Sequence, residues 1–172
     1  MLFHSVLVTG ANRGIGLQFV KEFLRLGHKQ IANVIATYRD PATTDELNEL
    51  AKANGHLNLL QLDVRNYASH DAFRSRLSEI AGDKGLSLLL NNAGVAIPTN
   101  LSTATPEKMM ENFEMNAVTP LMLSKALLPL LNRSAKGGHR TVIAHISSVK
   151  GSIGENLVLN CCLSCDSLVC KV

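Results

Sequence analysis

The chain has 172 residues, of which 46% are hydrophobic and 18% charged, and its formal net charge is +3. This length is enough for one domain with a sizeable core, and the small net charge does not indicate a nucleic-acid partner. No signal peptide is predicted at the N-terminus, and no apolar stretch is long enough to cross a bilayer, so we expect a cytoplasmic protein that makes no membrane contact.

Apolar runs alternate with stretches of helical periodicity along the chain. A first strand is predicted at 5–8, and a helix that Gly27 ends follows it. The pattern then predicts a strand at 33–39, a helix at 44–53, a strand at 57–64 and a third helix. Two faces are assigned from the spacing: Ile15, Phe19, Val20, Phe23 and Leu24 on the first helix, and Phe73, Leu77, Ile80 and Ala81 on the third.

The second half continues the alternation. Residues 86–94 predict a fourth strand that enters a loop, and 141–148 predict a fifth strand. Thr105 followed by Pro106 is a typical helix start, and Pro120 is expected to kink or divide the long helix that follows. Apolar strands separated by helices predict an α/β fold: a Rossmann-like, doubly wound parallel sheet of five strands in the order 3-2-1-4-5.

A glycine-rich loop lies between the first strand and the first helix. Its sequence is TGANRGIG, with glycines at 10, 14 and 16. Glycines allow the backbone to approach a pyrophosphate closely, and the helix N-terminus offers N–H donors to an anion. The same three glycines could also form no more than a tight turn.

Two arginines bear on the identity of a bound dinucleotide. Arg13 lies in the glycine loop, and Arg39 follows the second strand, where such folds meet the adenosine ribose. An arginine there suits a 2′-phosphate, so we expect NADP(H) as the cofactor. In the alternative interpretation, Arg39 and Asp40 are solvated turn residues ahead of Pro41.

Five motifs follow one another along the chain: the glycine loop at 9–16, Asp63-Val64 after the third strand, NNAG at 91–94, MNAV with Asn116, and ISSVKG with Ser148. In this order, over residues 5–151, they resemble the short-chain dehydrogenase/reductase family. Within the family the sequence is most similar to the sniffer-like carbonyl reductases, which use NADPH. Taken alone, each motif could instead be a turn, a cap or a strand end. The cofactor-binding positions implied by the resemblance are Thr9, Gly10, Asn12, Arg13, Gly14, Ile15, Gly16, Arg39, Asp63, Val64, Asn91, Asn92, Ala93 and Gly94, and the catalytic positions are Asn116 and Ser148.

The resemblance also implies a reaction. In this family a hydride passes from nicotinamide to a ketone or aldehyde carbon while a tyrosine protonates the oxygen, and a lysine four residues later lowers the pKa of that tyrosine. A serine holds the carbonyl oxygen and an asparagine supports a water relay. The resemblance further implies a small-molecule carbonyl substrate, and pairing of two copies through the helix at 106–132.

The expected Tyr-x-x-x-Lys pair is absent. The family pattern places the tyrosine at 161–164, where this sequence has Cys161, Cys162, Leu163 and Ser164, and its two tyrosines are Tyr38 and Tyr67. We therefore expect a cofactor domain at 1–153, incomplete relative to the family, and a divergent cysteine-rich tail at 154–172. Activity is expected to be very weak or absent, and the alternatives are a non-catalytic dinucleotide-binding module or a truncated isoform without function.

All four cysteines lie in this tail, at 161, 162, 165 and 170. One C-x-x-C pair does not make a structural zinc site, which needs four ligands. A zinc site built from all four cysteines, a lipid anchor and an inert tail remain open, and no metal site is predicted.

Overall fold

The computed structural model describes residues 2–147. Within these residues, five strands form one parallel sheet in the order β3-β2-β1-β4-β5, which confirms the predicted topology. The strands are β1 (Phe3–Val8), β2 (Ile31–Tyr38), β3 (Leu57–Gln61), β4 (Leu88–Asn91) and β5 (Val142–His145). The helices are α1 (Gly14–Leu26), α2 (Asp45–Ala53), α3 (His70–Ala81), α4 (Pro106–Phe113) and α5 (Thr119–Lys136).

Two hydrophobic clusters cover the two faces of the sheet. Val6 and Val8 of β1 pack with α1 residues on one face, whereas Leu7 packs with α3 and α5 residues on the other. Side chains of a strand alternate between faces, so a central strand buried on both sides is continuously apolar. The doubly wound arrangement brings the carboxyl ends of the strands to one edge, where the loops after β1, β2, β3 and β4 meet.

The first helix differs from its predicted pattern in one respect. Val20 and Leu24 are buried and Phe19 is half-buried, but Ile15 is 62% exposed, and the unpredicted Leu17 is buried instead. The first turn of α1 reaches the carboxyl edge of the sheet, so Ile15 points toward the cleft rather than into the core.

The long helical region divides at a π-helical segment, Glu114–Val118, between α4 and α5. Pro120, in the first turn of α5, has no N–H to donate to the carbonyl group four residues earlier, which accounts for a wider turn at this point. The Thr105 cap is confirmed, because its hydroxyl accepts a hydrogen bond from Lys108 N at 3.4 Å.

The fifth strand is shorter than predicted. It covers Val142–His145 rather than 141–148, and its side chains alternate between half-buried and exposed. Val142 and Ala144 pack against the α1-side cluster, whereas Ile143 is exposed on the other face. Within residues 2–147, β5 is the edge of the sheet beyond β4.

Candidate functional site

The loop from β1 to α1 requires glycine at more than one position. Gly10 and Gly14 have φ values of +62° and +57°, a left-handed conformation that other residues rarely adopt. A Cβ atom at Gly16 would overlap the carbonyl oxygen of Gly10 and the side-chain amide of Asn92. The loop therefore brings backbone, rather than side chains, to the edge of the sheet.

The start of α1 fits an anionic group. Arg13 precedes the helix, no side chain caps it, and its first turn contains no acidic residue. A Cβ at Gly14 would meet nothing within 4 Å, so the space above the loop is open. Free N–H groups and the positive end of the helix dipole then face that space, which suits the pyrophosphate of a dinucleotide.

Thr9 lies beneath the loop and joins it to the segment after β4. Its side chain is almost fully buried, and its hydroxyl accepts hydrogen bonds from Asn92 N and Ala93 N, both at 3.0 Å. The Asn92 side-chain amide donates to the carbonyl groups of Thr9 and Gly10, at 2.8 and 3.1 Å. Four bonds between the two segments thus fix the predicted Asn91–Gly94 motif against the glycine loop.

The ends of β2 and β3 carry the other predicted cofactor positions. Arg39 is exposed, and Asp40 accepts a hydrogen bond from Ala42 N at 2.9 Å. Asp63 is exposed and accepts from Arg65 N at 3.0 Å, whereas Val64 is buried in the core. Asp63 and Arg39 therefore both lie at the carboxyl edge of the sheet, after the neighbouring strands β3 and β2.

Two asparagines hold the loop that follows β4. Asn116, in the π-helical segment, accepts from Val95 N at 3.0 Å and donates to Val95 O at 2.8 Å. Asn112, one turn earlier, accepts from Ile97 N at 3.3 Å and is almost fully buried. Sequence reasoning missed Asn112, although its spacing of four residues from Asn116 places both on one side of a helix.

A large open cavity of about 1300 Å³ begins at this edge and continues along the sheet. Its upper end is lined by Asn92, Gly94 and Asn116, and Ser147 lies at its rim. Its lower part runs between α5 and β5. Ser148, the predicted catalytic serine, lies outside the described residues, as do the four cysteines and the tail.

His145 lies inside the cavity at the end of β5. Its Nδ1 atom is 3.4 Å from the side-chain amide of Asn91, which also donates to Ser124 Oγ at 3.2 Å. Desolvation lowers the pKa of His145 below its ordinary value of 6.5, so the imidazole is neutral at pH 7. It is a polar but uncharged group in a cavity that Asn91, Ser124 and Lys125 also line.

The comparisons with known proteins agree with this geometry. The family model described as short chain dehydrogenase matches residues 4–160. The chain belongs to the short-chain dehydrogenase family. In such a family member, the glycine loop and the segment after β4 lie where a nicotinamide dinucleotide binds.

Individual relatives show the same resemblance. The short chain dehydrogenase gsfK of Penicillium aethiopicum is 35% identical over 153 residues, which are 87% of this chain and 58% of that protein. The carbonyl reductase Sniffer of D. melanogaster superposes with a TM-score of 0.90 at 32% identity, covering 95% of this chain and 69% of the other. An NADPH-bound carbonyl reductase from chicken fatty liver superposes with a TM-score of 0.87 at 36% identity, covering 95% and 66%.

The chain thus spans less than two thirds of the length of the first curated relatives it matches. Among residues 2–147, no helix is long and apolar enough to span a membrane.

Proposed function

We propose that this chain binds NADP(H) at the carboxyl edge of its sheet, in the manner of a carbonyl reductase. The glycine loop would hold the pyrophosphate, Asp63 and Val64 the adenine, and the 91–94 segment the ribose on the nicotinamide side. The bound cofactor would supply the hydride for reduction of a ketone or aldehyde. Asn116 and Ser148 would orient the carbonyl group and a water molecule.

The choice of NADP(H) rests on the exposure of two arginines and on their place outside the ion pairs of the described residues. Arg13 and Arg39 are both exposed, and the ion pairs within residues 2–147 involve neither of them. Asp40, the nearest acid in sequence, turns toward the backbone of Ala42. Two uncommitted guanidinium groups beside the loop suit a 2′-phosphate better than a bare ribose hydroxyl.

A titration with NADPH and NADH tests this choice. Arg39→Ala should raise the Kd for NADPH by at least about tenfold, because a hydrogen bond to a charged group contributes roughly 1.5–3 kcal/mol. Its Kd for NADH should change less than about twofold, since NADH has no 2′-phosphate for Arg39 to contact. Arg76→Ala removes an exposed arginine of α3 and serves as the matched control. Equal weakening of both cofactors would refute the role of Arg39.

We further propose that bound cofactor turns over slowly in this chain. Tyr38 ends β2, and the hydroxyl of Tyr67 contacts Glu114 and Thr119 at 3.2 and 3.1 Å, so neither lines the cavity. Loss of a general acid typically lowers a rate by about 10²–10⁴-fold. NADPH oxidation with a simple quinone should be slow even when binding is saturated.

A non-catalytic dinucleotide-binding module is the second candidate. The absence of tyrosine and lysine from the expected positions at 161–168 favours it. It predicts saturable NADPH binding with no oxidation above the uncatalysed rate. A rate equal to that of complete carbonyl reductases would reject it and the slow-turnover proposal together.

The domain division and the oligomeric state belong to the same proposal. Residues 1–153 would form the cofactor domain, and 154–172 a separate tail. Pairing of two copies through the helical region at 106–132 is supported by exposed apolar side chains there, among them Met110. Sedimentation velocity measures this pairing directly.

A further inference from the structure

Tyr67 lies outside the cavity, between β3 and α3, yet its hydroxyl contacts the helical region that carries Asn116. The hydroxyl oxygen is 3.2 Å from a carboxylate oxygen of Glu114 and 3.1 Å from the hydroxyl oxygen of Thr119. An ionised carboxylate accepts hydrogen bonds but cannot donate them, so Tyr67 donates to Glu114 and accepts from Thr119. One hydroxyl group therefore joins the loop after β3 to two residues of the helical region.

These two residues are five positions apart and enclose the wide turn of the π-helical segment. Thr119 N donates to Glu114 O, which is the bond to the carbonyl five residues earlier that defines a π-helix. In a regular α-helix, side chains five residues apart lie about 140° apart round the axis, so one hydroxyl could not reach both. The bonds of Tyr67 to Glu114 and Thr119 therefore form together in the π register and not in the α register.

The register of this segment sets the direction of the Asn116 side chain. Asn116 lies inside the wide turn, and its side-chain amide binds both the N–H and the C=O of Val95. A return to the α register would rotate the residues of the turn by up to about 100°, the angle of one residue in an α-helix. Asn116 would then no longer face Val95, and the loop after β4 would lose both bonds.

A π-helical turn is rare in proteins, so contacts outside the helix are expected to stabilise this one. Pro120 permits it, because proline has no N–H to donate to the carbonyl of Asn116 four residues earlier. The missing donor removes one bond of the α register but does not set the direction of any side chain. The two bonds of Tyr67 stabilise one register over the other, which is the difference that can shift such an equilibrium.

The loop after β3 is itself fixed, so it can support the helical region. The ring of Tyr67 meets the ring of His70 edge to face, with centroids 5.7 Å apart. His70 is almost fully buried, and its Nε2 atom is 3.0 Å from Val64 O. Tyr67 is thus held between the core and the wide turn.

Arg65, on the same loop, makes a weaker contact with the helical region. Its guanidinium is 2.9 Å from Glu114 and 3.6 Å from Glu111, and its side chain is 41% exposed. Exposed ion pairs of this kind contribute little to stability. Both carboxylates lie on the N-terminal side of the wide turn, so Arg65 does not distinguish the two registers as Tyr67 does.

We propose that Tyr67 is a positioning residue of the candidate functional site. Its hydroxyl holds Glu114–Val118 in the π register and so keeps Asn116 directed at the loop after β4. The inference rests on the proposed function for the task of Asn116, which is to orient the carbonyl group and a water molecule. The contacts that carry it need no cofactor.

Amide hydrogen exchange, followed by NMR on the full chain without cofactor, tests this role. Tyr67→Phe removes the hydroxyl and keeps the ring against His70. The Val95 N–H, 3.0 Å from Asn116 Oδ1, should exchange at least about tenfold faster, because the lost hydrogen bond is to a charged group. The Thr119 N–H, which makes the π-type bond, should show the same acceleration.

Two other amides separate this effect from a general loss of stability. Ile97 N is bound by Asn112, which lies in α4 ahead of the wide turn. Thr9 N is bound to Leu90 O at 3.1 Å, in the centre of the sheet. Both N–H groups should exchange within about twofold of their rates in the parent chain, because neither bond depends on the register.

Matched variants identify the group that acts. Tyr38→Phe makes the same chemical change in the other tyrosine of the chain and should leave all four amides unchanged. Glu114→Gln keeps an oxygen that accepts from Tyr67 while removing the charge that Arg65 contacts, so most of the Val95 protection should remain. Glu114→Ala removes the acceptor and should match Tyr67→Phe.

Three results would overturn the proposal. Unchanged exchange at Val95 in Tyr67→Phe would show that the turn does not need the hydroxyl. Equal acceleration at Val95, Ile97 and Thr9 would show that Tyr67 supports the fold as a whole and not the register. A Glu114→Gln variant as fast as Glu114→Ala would assign the effect to Arg65. NADPH titration of the parent chain tests the proposed function separately, so a failure of one leaves the other standing.

Discussion

Replacement of Thr9 by valine would test whether one hydroxyl group joins the glycine loop to the segment after β4. Valine has nearly the same shape as threonine but cannot accept a hydrogen bond. The change leaves the N–H groups of Asn92 and Ala93, each 3.0 Å from the hydroxyl, without their acceptor. A buried N–H group that loses its acceptor lowers the free energy of unfolding by about 1–3 kcal/mol. For two half-buried groups we therefore expect the free energy of unfolding to fall by about 2–4 kcal/mol.

Thr37→Val is the matched control for this experiment. Thr37 is also buried and lies near the same loop, but its hydroxyl accepts a single long bond, from Gly10 N at 3.4 Å. A hydrogen bond of that length is weak, so Thr37→Val should lower the free energy of unfolding by less than about 1 kcal/mol.

Urea unfolding followed by circular dichroism measures both variants. With a slope of about 2 kcal/mol per molar, a loss of 3 kcal/mol lowers the midpoint by about 1.5 M. The slope should not change, because both variants expose the same surface on unfolding. If Thr9→Val costs no more than Thr37→Val, the two N–H groups have other partners and the argument for Thr9 is wrong.

Three further changes, at Gly16, at Leu89 and at the pair His4 and His56, should alter the free energy of unfolding. Gly16→Ala should destabilise the fold by about 1–3 kcal/mol more than would be expected from helix propensity, because its Cβ overlaps Gly10 O; a urea midpoint equal to that of the parent would contradict the packing of the loop. Leu89→Ala, at a fully buried position of β4, should cost about 2–5 kcal/mol in the same assay, and a smaller loss would mean that the core collapses around the cavity. Desolvation lowers the pKa of His4 and of His56 below 6.5, so the unfolded chain binds protons at higher pH than the folded chain does, and the free energy of unfolding should fall as pH decreases through 6.5. A double replacement of these histidines by asparagine should reduce that dependence to the part that His145 contributes, and an unchanged slope would locate the effect elsewhere.

The topology could be predicted from the sequence because every part of it leaves a local signal. Apolar runs such as β1 alternate with helical stripes, and the chirality of parallel connections restricts the order of the strands. Thr105 with Pro106 marks a helix start, because the first turn of a helix has free N–H groups that a threonine hydroxyl can accept from and a position where proline fits. Gly10 and Gly14 both have the positive φ values that residues other than glycine rarely adopt, so the glycines of this loop could be read from the sequence.

The parts that could not be predicted depend on tertiary contacts. An apolar residue in the first turn of a helix can face the core or a cleft, and periodicity alone assigned Ile15 to the wrong side. The pattern at 141–148 predicted a longer strand than Val142–His145, because an apolar run does not show where the pairing with β4 ends. The hydrogen bonds of Asn112 to Ile97 join residues fifteen positions apart, which no local pattern reveals.

The two asparagines that hold the loop after β4 have a consequence for how this site could diversify. Both bind backbone atoms, the N–H and C=O groups of Val95 and the N–H of Ile97, and neither bond uses a loop side chain. The side chains of Ala96 and Pro98, on the alternate positions, are exposed. The two asparagines therefore hold the backbone of this loop whatever its side chains are. Selection could replace the side chains at 96 and 98, and so alter what is recognised beside the cofactor, without changing the hydrogen bonds that hold the loop.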